Sequence, residues 1–266
     1  MNLGKIFINT YLRLITIYLS LISTKEKIEK PTLTALAIEI NSACNRRCPW
    51  CPNNGNNRDI AFLDKNLFYK VIDELKGMKF KGKITFNHFN EPLLDKRLLE
   101  FIAYIRKSIP SSHIYLNTNG DLLTMDLWKR LRKAGLDYAN ISQYDGKINN
   151  NVKDILNNLY PKERKCFDVI IFNTKNICNR AGLVNINGKL KKPLKRYCSR
   201  LFYQLCINYK GKVVLCCNDY HGEVEIGDAS RDSIKSLWES STFVEYRRKL
   251  AKGDRAGLKL CSRCDM

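Results

Sequence analysis

Three cysteines lie close together near the start of the chain. They form the pattern C-x3-C-x2-C, in which Cys44 and Cys48 are followed by Cys51. Thiolates are soft ligands that suit zinc ions and iron–sulfur clusters. A structural zinc ion takes four ligands, whereas three cysteines on a [4Fe–4S] cube leave one iron open to another ligand. The pattern therefore favours a cube with one open iron over a zinc site or a chance grouping.

Four further cysteines form a second set in the last third of the chain. Cys198 and Cys216 are followed by the close pair Cys261 and Cys264. Gly211, shortly before Cys216, suits a hairpin that turns at the glycine and returns Cys216 beside Cys198. A helix then brings the C-terminal pair across to close the site. Four sulfurs can bind Zn²⁺ or a fully ligated [4Fe–4S] cluster, and their spacing alone does not decide between them.

The composition sets the chemical context of these cysteines. Eleven cysteines in 266 residues are too many for chance, yet the chain is too long for a disulfide-stapled scaffold. The odd number also leaves one thiol over in any complete pairing. We therefore expect a cytoplasmic protein that uses cysteines for metal or cluster ligation. The 46 Lys and Arg exceed the 26 Asp and Glu, so the net charge of +20 favours anionic partners or substrates, unless it only solvates the surface.

The elements that must position the first cysteine set alternate between strand and helix patterns. Helix patterns occupy the intervals between five strand patterns, at 34–41, 83–88, 113–117, 138–143 and 168–172. Repeated β–α units of this length predict an α/β fold with a parallel sheet covered by helices. The units are too few for an eight-fold barrel. An open, partial (β/α) barrel is therefore the predicted architecture, and a doubly wound sheet is the second candidate.

The chain divides into three predicted parts. Residues 1–30 form an amphipathic N-terminal helix, residues 31–188 the partial barrel, and residues 189–266 a small module of a hairpin and a helix over 230–251. No run of 18 uncharged apolar residues predicts a membrane span. Residues 1–22 are expected to pack on the domain surface, or else to contact a membrane surface or a partner. A signal peptide is disfavoured because no small-residue cleavage site follows.

The first cysteine set, with the aromatic Trp50 before its last member, resembles the cluster motif of the radical S-adenosylmethionine (SAM) enzymes. Polar residues after successive strand patterns extend this resemblance. Asn90 and Glu91 occupy the place of a Gly-Gly-Glu-like motif, whose missing glycines leave the contact to the methionyl amino group to Asn90 or other backbone groups. The resemblance implies that SAM is bound by Trp50, Asn90, Glu91, Asn117, Asn119, Ser142 and Gln143.

Beside such a core, the second cysteine set resembles the twitch module, a shortened SPASM domain that holds one auxiliary [4Fe–4S] cluster. Two [4Fe–4S] clusters and SAM are thus the expected cofactors. The resemblance also implies that Arg180 contacts the substrate or assists the loss of its proton, with a surface or helix-capping arginine as the alternative. Cys217 directly follows an expected ligand, so we expect a free thiol close to the active site.

The resemblance implies a radical SAM oxidoreductase, and within the family it is nearest to dehydrogenases of aminocyclitols. We expect oxidation of a secondary alcohol on a sugar-like or aminocyclitol-like, anionic substrate, with flavodoxin or ferredoxin as electron donor. Epimerisation of a peptide or sugar, with Cys217 as hydrogen donor, is the alternative. A non-enzymatic zinc or nucleic-acid-binding protein is a remote one. Its basic segments lack the interleaved aromatic residues of a stacking surface, so no specific nucleic-acid partner is expected.

Overall fold

The computed structural model describes residues 28–55, 58–172, 177–185 and 192–266. Its described strands form one eight-stranded sheet in the order β5-β4-β3-β2-β1-β6-β7-β8. The strands are β1 Ala35–Ile38, β2 Lys83–Thr85, β3 His113–Thr118, β4 Tyr138–Gln143, β5 Phe167–Ile171, β6 Gln204–Ile207, β7 Lys212–Val214 and β8 Glu225–Asp228.

The helices lie between these strands, as the alternating patterns predict. Several begin at a side-chain cap: Asp64 accepts a hydrogen bond from the Leu67 amide, and Thr124 accepts one from the Leu127 amide. The described helices are α1 Lys65–Gly77, α2 Leu98–Ser108, α3 Met125–Ala134, α4 Asn150–Asn158, α5 Pro161–Arg164, α6 Ile234–Trp238 and α7 Ser241–Ala251, with 3-10 turns at Pro92–Leu94, Arg200–Phe202 and Cys261–Arg263.

The strand order confirms the partial barrel and excludes the doubly wound sheet. Strands β1 to β5 follow one another in space and pair in parallel. Right-handed crossovers that always step in one direction leave all the helices on one face of the sheet. The carboxyl ends of these strands therefore meet along one edge, where a barrel enzyme assembles its site.

The two faces of the sheet differ in character. Toward the helices, fully buried residues such as Leu36, Ile84 and Leu116 join the main core, in which the Phe68 and Phe101 rings stack 4.0 Å apart. On the opposite, inner face, a small separate cluster lies on three neighbouring strands and consists of Ala37, Cys206 and Val214. The inner face of β3 and β4 is polar, which leaves room there for a polar ligand.

The C-terminal module differs from the prediction in the division of its helix and in the pairing of its first strand with the barrel sheet. The helix expected over 230–251 is divided into α6 and α7, because the Ser240 hydroxyl caps a new helix by accepting from the Phe243 amide. The expected hairpin is present, with β6 and β7 antiparallel around Gly211 at φ +80°. Strand β6 also pairs in parallel with β1, so the module continues the barrel sheet.

The predicted N-terminal helix over residues 1–22 lies outside the described residues. A packing or membrane-surface role for that segment therefore stays a prediction. Among the helices that the structure does describe, none has the length and apolar character needed to cross a membrane.

Candidate functional site

The loops at the carboxyl edge of β1 to β4 surround an open cavity of about 670 Å³, mouth included. The structure brings most of the predicted site residues to this one place. Those that line the cavity are Cys44, Cys48, Cys51, Trp50, Asn90, Glu91, Asn117, Asn119, Ser142 and Arg180. Gln143 and Cys217 are not among the lining residues.

The loop that carries the first cysteine set is anchored at its start. The Asn41 side chain accepts from the Ala43 amide at 2.9 Å, and the Ser42 hydroxyl accepts from the Ala61 amide at 2.8 Å. A turn then joins the Cys51 amide to the Cys48 carbonyl at 3.0 Å. The three thiols are half-buried and share one cavity, so the loop can present them to a single ligand group.

Arg46 ties the cysteine loop to the loops after β3 and β4. Its guanidinium forms two hydrogen bonds of 2.6 Å with Asp121 and an ion pair of 3.0 Å with Asp145. Hydrogen bonding to Arg46 holds the pKa of Asp121 below its usual value. Asp121 directly follows the Asn-Gly pair, but an ion pair with Arg46 across 75 positions leaves no local signal in the sequence.

Glu91 is buried, and its carboxylate organises the end of β3. It accepts from the Thr118 hydroxyl at 2.6 Å, from the Leu93 amide at 3.0 Å and from the Asn119 amide at 2.8 Å. Burial raises the pKa of Glu91, and these hydrogen bonds oppose that rise by favouring the ionised form. Because its oxygens are occupied, Glu91 shapes the cavity by holding Asn119 in place.

Glu91→Gln is expected to lower the free energy of unfolding by about 1–3 kcal/mol and to weaken SAM binding about tenfold. The glutamine amide nitrogen would face either the Asn119 N–H, or the Thr118 hydroxyl and the Leu93 N–H, in place of an acceptor, so at least one hydrogen bond is lost. Denaturant unfolding and calorimetric SAM titration measure the two effects.

Glu100→Gln is the matched control for Glu91→Gln, since Glu100 lies on the surface of α2, where it pairs with Lys65. We expect no measurable change in stability and no change in SAM affinity, because an exposed ion pair contributes little. Equal SAM affinities for Glu91→Gln and the wild type would contradict the role of Glu91 at the cavity.

Gln143 and Asn90 use their side chains to hold backbone segments around the cavity. Gln143 is fully buried, donates to the Asn119 carbonyl at 2.8 Å and accepts from the Asn149 amide at 2.7 Å. Neighbouring side chains on a strand point to opposite faces, so Ser142 faces the cavity and Gln143 does not. The side-chain amide of Asn90 bridges its own turn: its oxygen accepts from the backbone amide of His88, and its nitrogen donates to the Phe86 carbonyl.

Arg180 reaches the cavity from a strained turn. Arg180 and Ala181 have φ values of +48° and +53°, a left-handed conformation that non-glycine residues rarely adopt. Such strain persists where the surroundings hold it, often at functional sites. The Arg180 Nε is buried without a hydrogen-bond partner among residues 28–55, 58–172, 177–185 and 192–266.

His88 is a further buried residue of the cavity wall. Both of its ring nitrogens lack a hydrogen-bond partner in the described part of the chain, and its Nδ1 lies 3.9 Å from a Glu39 oxygen. Burial lowers the pKa of His88, which favours the neutral imidazole. Glu39 is fully buried and paired with Arg58 at 2.7 Å. No sequence motif indicates this group, since its members come from three separate segments.

The second cysteine set also gathers in space. Burial raises the pKa of Cys261 to about 12, and the neighbouring Cys198 and Cys264 act in the same direction. Burial also raises the pKa of Cys216, and the nearby Cys261 adds to that rise. Cys261 and Cys264 lie in the main core cluster, and Cys198 and Cys216 pack against the same cluster. That the four thiols bind one group stays a prediction.

The donor sets suit iron–sulfur cubes. Among the described residues, no three His, Cys, Asp or Glu side chains are placed to hold a single metal ion. A cube is larger than one ion, and each of its cysteines binds a separate iron. The cavity beside the first set also contains buried polar atoms without partners in the described segments, on Trp50, His88 and Arg180, which a polar ligand such as SAM would satisfy.

Cys217 packs against the inner-face cluster of Ala37, Cys206 and Val214. It therefore lies on the barrel side of the hairpin, next to the second cysteine set but outside the cavity lining. Its thiol also acts electrostatically on Arg180, whose pKa is raised although burial acts to lower it.

Comparison with known proteins agrees with this geometry. Residues 38–165 match the model of the radical SAM superfamily, and residues 198–265 match SPASM, an iron-sulfur cluster-binding domain. The chain is 26% identical over 232 residues to the S-adenosyl-L-methionine-dependent 2-deoxy-scyllo-inosamine dehydrogenase of Niallia circulans, covering 86% of this chain and 92% of that protein. The solved structure of BtrN in complex with AdoMet and 2-DOIA has the same fold, with a TM-score of 0.82 at 24% identity over 88% of this chain and 94% of BtrN.

Other relatives match a shorter part of the chain. A GTP 3',8-cyclase of Helicobacter pylori (strain HPAG1) is 36% identical over 112 residues, which are 40% of this chain and 33% of the cyclase. Each cysteine set falls within its own matching region, the first in the radical SAM model and the second in SPASM. A non-enzymatic zinc or nucleic-acid-binding protein is therefore set aside. The chain belongs to the radical SAM superfamily: it is an enzyme with a C-terminal SPASM domain, and its cofactors are SAM and [4Fe–4S] clusters.

Proposed function

We propose that this enzyme oxidises a secondary alcohol of an aminocyclitol or sugar-like substrate to a ketone. The observation that carries the proposal is the position of Arg180, in the wall of the cavity that holds the first cysteine set. Arg180 lines this cavity together with Cys51, and the preceding residue, Asn179, donates from its backbone amide to Asp265, which directly follows Cys264 of the second set. A substrate at Arg180 would therefore lie between the two sets.

The likeness to the Niallia circulans dehydrogenase supports the same reaction, because it covers 92% of that protein. When bound, SAM and the cluster on the first cysteine set supply the radical chemistry that removes hydrogen from an unactivated C–H bond. Conversion of the alcohol to a ketone then requires an electron acceptor close to the substrate. The second cysteine set is where we place that acceptor.

The residues of the chain bind and orient the substrate. The buried Arg180 Nε–H, which lacks a partner in the described segments, is placed to donate to the alcohol oxygen and so to fix which C–H bond faces SAM. The amides of Asn87, Asn117 and Asn140 continue the polar wall. Asn140 donates to Asn117 at 3.0 Å, and Asn117 donates to Asn87 at 2.6 Å. Amides with free lone pairs and N–H groups suit a polyhydroxylated ring.

The charge of the protein bears on its partners. A net charge of +20 fits an acidic electron-transfer protein such as flavodoxin or ferredoxin, and it would fit a sugar-like substrate only where that substrate carries an anionic group. Arg46 is already paired with Asp121 and Asp145, whereas no carboxylate pairs with Arg180 in the described segments. Arg180 is thus the cation that we propose for an anionic or hydroxyl group of the substrate.

Epimerisation is the second candidate, and the position of Cys217 is the observation in its favour. A thiol is a good hydrogen donor, and Cys217 packs on the inner face of the sheet, within electrostatic reach of Arg180. Cys217 is not among the residues that line the cavity, which weighs against direct contact between its thiol and the substrate.

Turnover of 2-deoxy-scyllo-inosamine and related aminocyclitols in D2O separates the two reactions. Oxidation is expected to give a product two mass units lighter than the substrate, because two hydrogens are lost. Epimerisation would instead place one solvent deuterium on the inverted carbon. Mass spectrometry and NMR of the product distinguish them.

Cys217→Ala provides the second readout. Under the proposed oxidation the variant should form the ketone at nearly the wild-type rate, since Cys217 is outside the cavity lining. Cleavage of SAM with loss of an inverted product in this variant would overturn oxidation in favour of epimerisation.

A further inference from the structure

Arg255 is buried beside the C-terminal cysteine pair. It follows α7 and is 2% exposed. Its Nε donates to the Arg196 carbonyl at 3.2 Å and its Nη1 to the Cys264 carbonyl at 3.3 Å. Its Nη2 is buried and has no hydrogen-bond partner in the described part of the chain. The guanidinium is thus held by neutral carbonyls, and its Nη2 is left without a partner among the described residues.

A buried cation of this kind is costly unless a charge compensates it. The groups that it influences are sulfurs of the second cysteine set. The Nη1 of Arg255 is hydrogen-bonded to the backbone carbonyl of Cys264, one of these four cysteines, and Cys261 lies three positions before it in the same 3-10 turn. Thiolates at these positions, and the cluster that they hold, therefore supply the charge that Arg255 otherwise lacks.

A second cation lies near the set. Arg200 follows Cys198 by two positions and donates through Nη2 to the sulfur of Met266, which follows Cys264 by two positions, at 3.6 Å. Two arginines therefore lie close to ligands of the second cysteine set.

One neighbouring acid has the opposite effect. Asp219 is buried and accepts from the Glu223 amide at 2.7 Å and from the Val224 amide at 3.1 Å, while its own backbone amide donates to the Cys216 carbonyl at 3.0 Å. Asp219 and Arg255 thus place opposite charges near the second cysteine set.

We propose that Arg255, buried at the C-terminal cysteine pair without a carboxylate partner, raises the reduction potential of the auxiliary cluster and so makes it an electron acceptor. Reduction adds one negative charge to the cluster, and a buried cation stabilises that state more than the oxidised one. The inference rests on the proposed oxidation for its biological meaning. There the substrate radical loses one electron to the cluster and one proton to water, and it becomes a ketone.

The test is a redox titration of the reconstituted holoenzyme, followed by EPR, without any substrate. Repeating it in a Cys44→Ala background isolates the auxiliary signal. Arg255→Gln should lower the ratio of reduced to oxidised cluster about tenfold at the wild-type midpoint, which is ~59 mV for one electron. Arg255→Lys keeps the charge and should stay within about twofold of the wild type.

Two further variants keep the test decisive. Asp219→Asn removes a negative charge but retains an oxygen acceptor for the turn, so it should move the midpoint upward, which structural damage would not explain. Arg231→Gln, at an arginine whose side chain is 86% exposed, should leave the midpoint unchanged. If Arg255→Gln cannot retain the cluster, Arg200→Gln must give the downward shift in its place.

An unchanged midpoint in a fully loaded Arg255→Gln enzyme would overturn the proposal, as would a downward shift in Asp219→Asn. Because no substrate is present, this result is independent of the reaction. A potential that responds as expected in an enzyme that forms no ketone would reject the proposed oxidation and leave the role of Arg255 intact.

Discussion

Replacement of Cys44, Cys48 or Cys51 by alanine is expected to reduce SAM cleavage to the background level. The three thiols share one cavity, and no other cysteine lines it. A cube that loses one of three protein ligands has no nearby substitute, so the iron that receives SAM is no longer held. Methionine release under reducing conditions measures the activity. Iron analysis should fall from about eight to about four irons per chain, since a [4Fe–4S] cube holds four.

Cys166→Ala is the matched control for these variants. Cys166 is also a half-buried free cysteine, but it lies in the turn before β5 and does not line the cavity. It should retain both the iron content and the rate of methionine release. Equal methionine release by Cys48→Ala and the wild type would contradict the assignment of the first set.

Local sequence patterns predict most of this fold because helices and strands follow short periods. The apolar spacing of 64–76 predicts α1, and the structure buries its expected face of Leu67, Phe68, Val71, Ile72 and Leu75. The break between α6 and α7 is harder to predict, since Ser240 is compatible with a helix interior as well as with a cap.

The site is predictable to the extent that its residues occur in motifs. The cysteines and the polar strand ends meet because parallel strands end at one edge, which the alternation of patterns already implies. The resemblance implies that Glu91 and Gln143 bind SAM, but in the structure their polar atoms are bonded to other residues of the protein. Their polar atoms are used by Thr118, Asn119 and Asn149, and only the folded structure shows those partners.

Long-range ion pairs lie beyond motif analysis. Arg46 pairs with Asp121 across 75 positions, and Arg58 pairs with the buried Glu39 across 19. A sequence with many lysines and arginines gives no indication which of them is buried. Arg255 is one such residue, since only its burial and its unused donor distinguish it from the charged surface.

The C-terminal tail links the second cysteine set to the strained turn of Arg180. The backbone amide of Asn179 donates to both carboxylate oxygens of Asp265 at 2.9 Å. The side-chain amide of Asn179 donates to the Arg263 carbonyl at 2.8 Å. Arg263 in turn donates through Nε to the Ala181 carbonyl at 2.6 Å. A cluster held by the cysteines on either side of Arg263 therefore supports the backbone that aims Arg180 into the cavity.

Cys264→Ala is accordingly expected to abolish product formation while part of the SAM cleavage remains. The first cysteine set is untouched, but the electron acceptor is lost and the Arg180 turn loses its support. The free energy of unfolding should fall by several kcal/mol, because cluster binding contributes to folding. The ratio of product to methionine, together with denaturant unfolding, measures this uncoupling, and Cys261→Ala should behave alike.

Asp265→Ala separates the two causes, because it removes the carboxylate that holds the Asn179 amide but leaves all four cysteines. Its iron content should match that of the wild type, and its ratio of product to methionine should lie between the wild type and Cys264→Ala. A wild-type ratio in Asp265→Ala would assign the whole effect of Cys264→Ala to the lost acceptor. Full product formation by Cys264→Ala would show that the second cysteine set takes no part in the reaction, because the substrate would then have lost its electron to another acceptor.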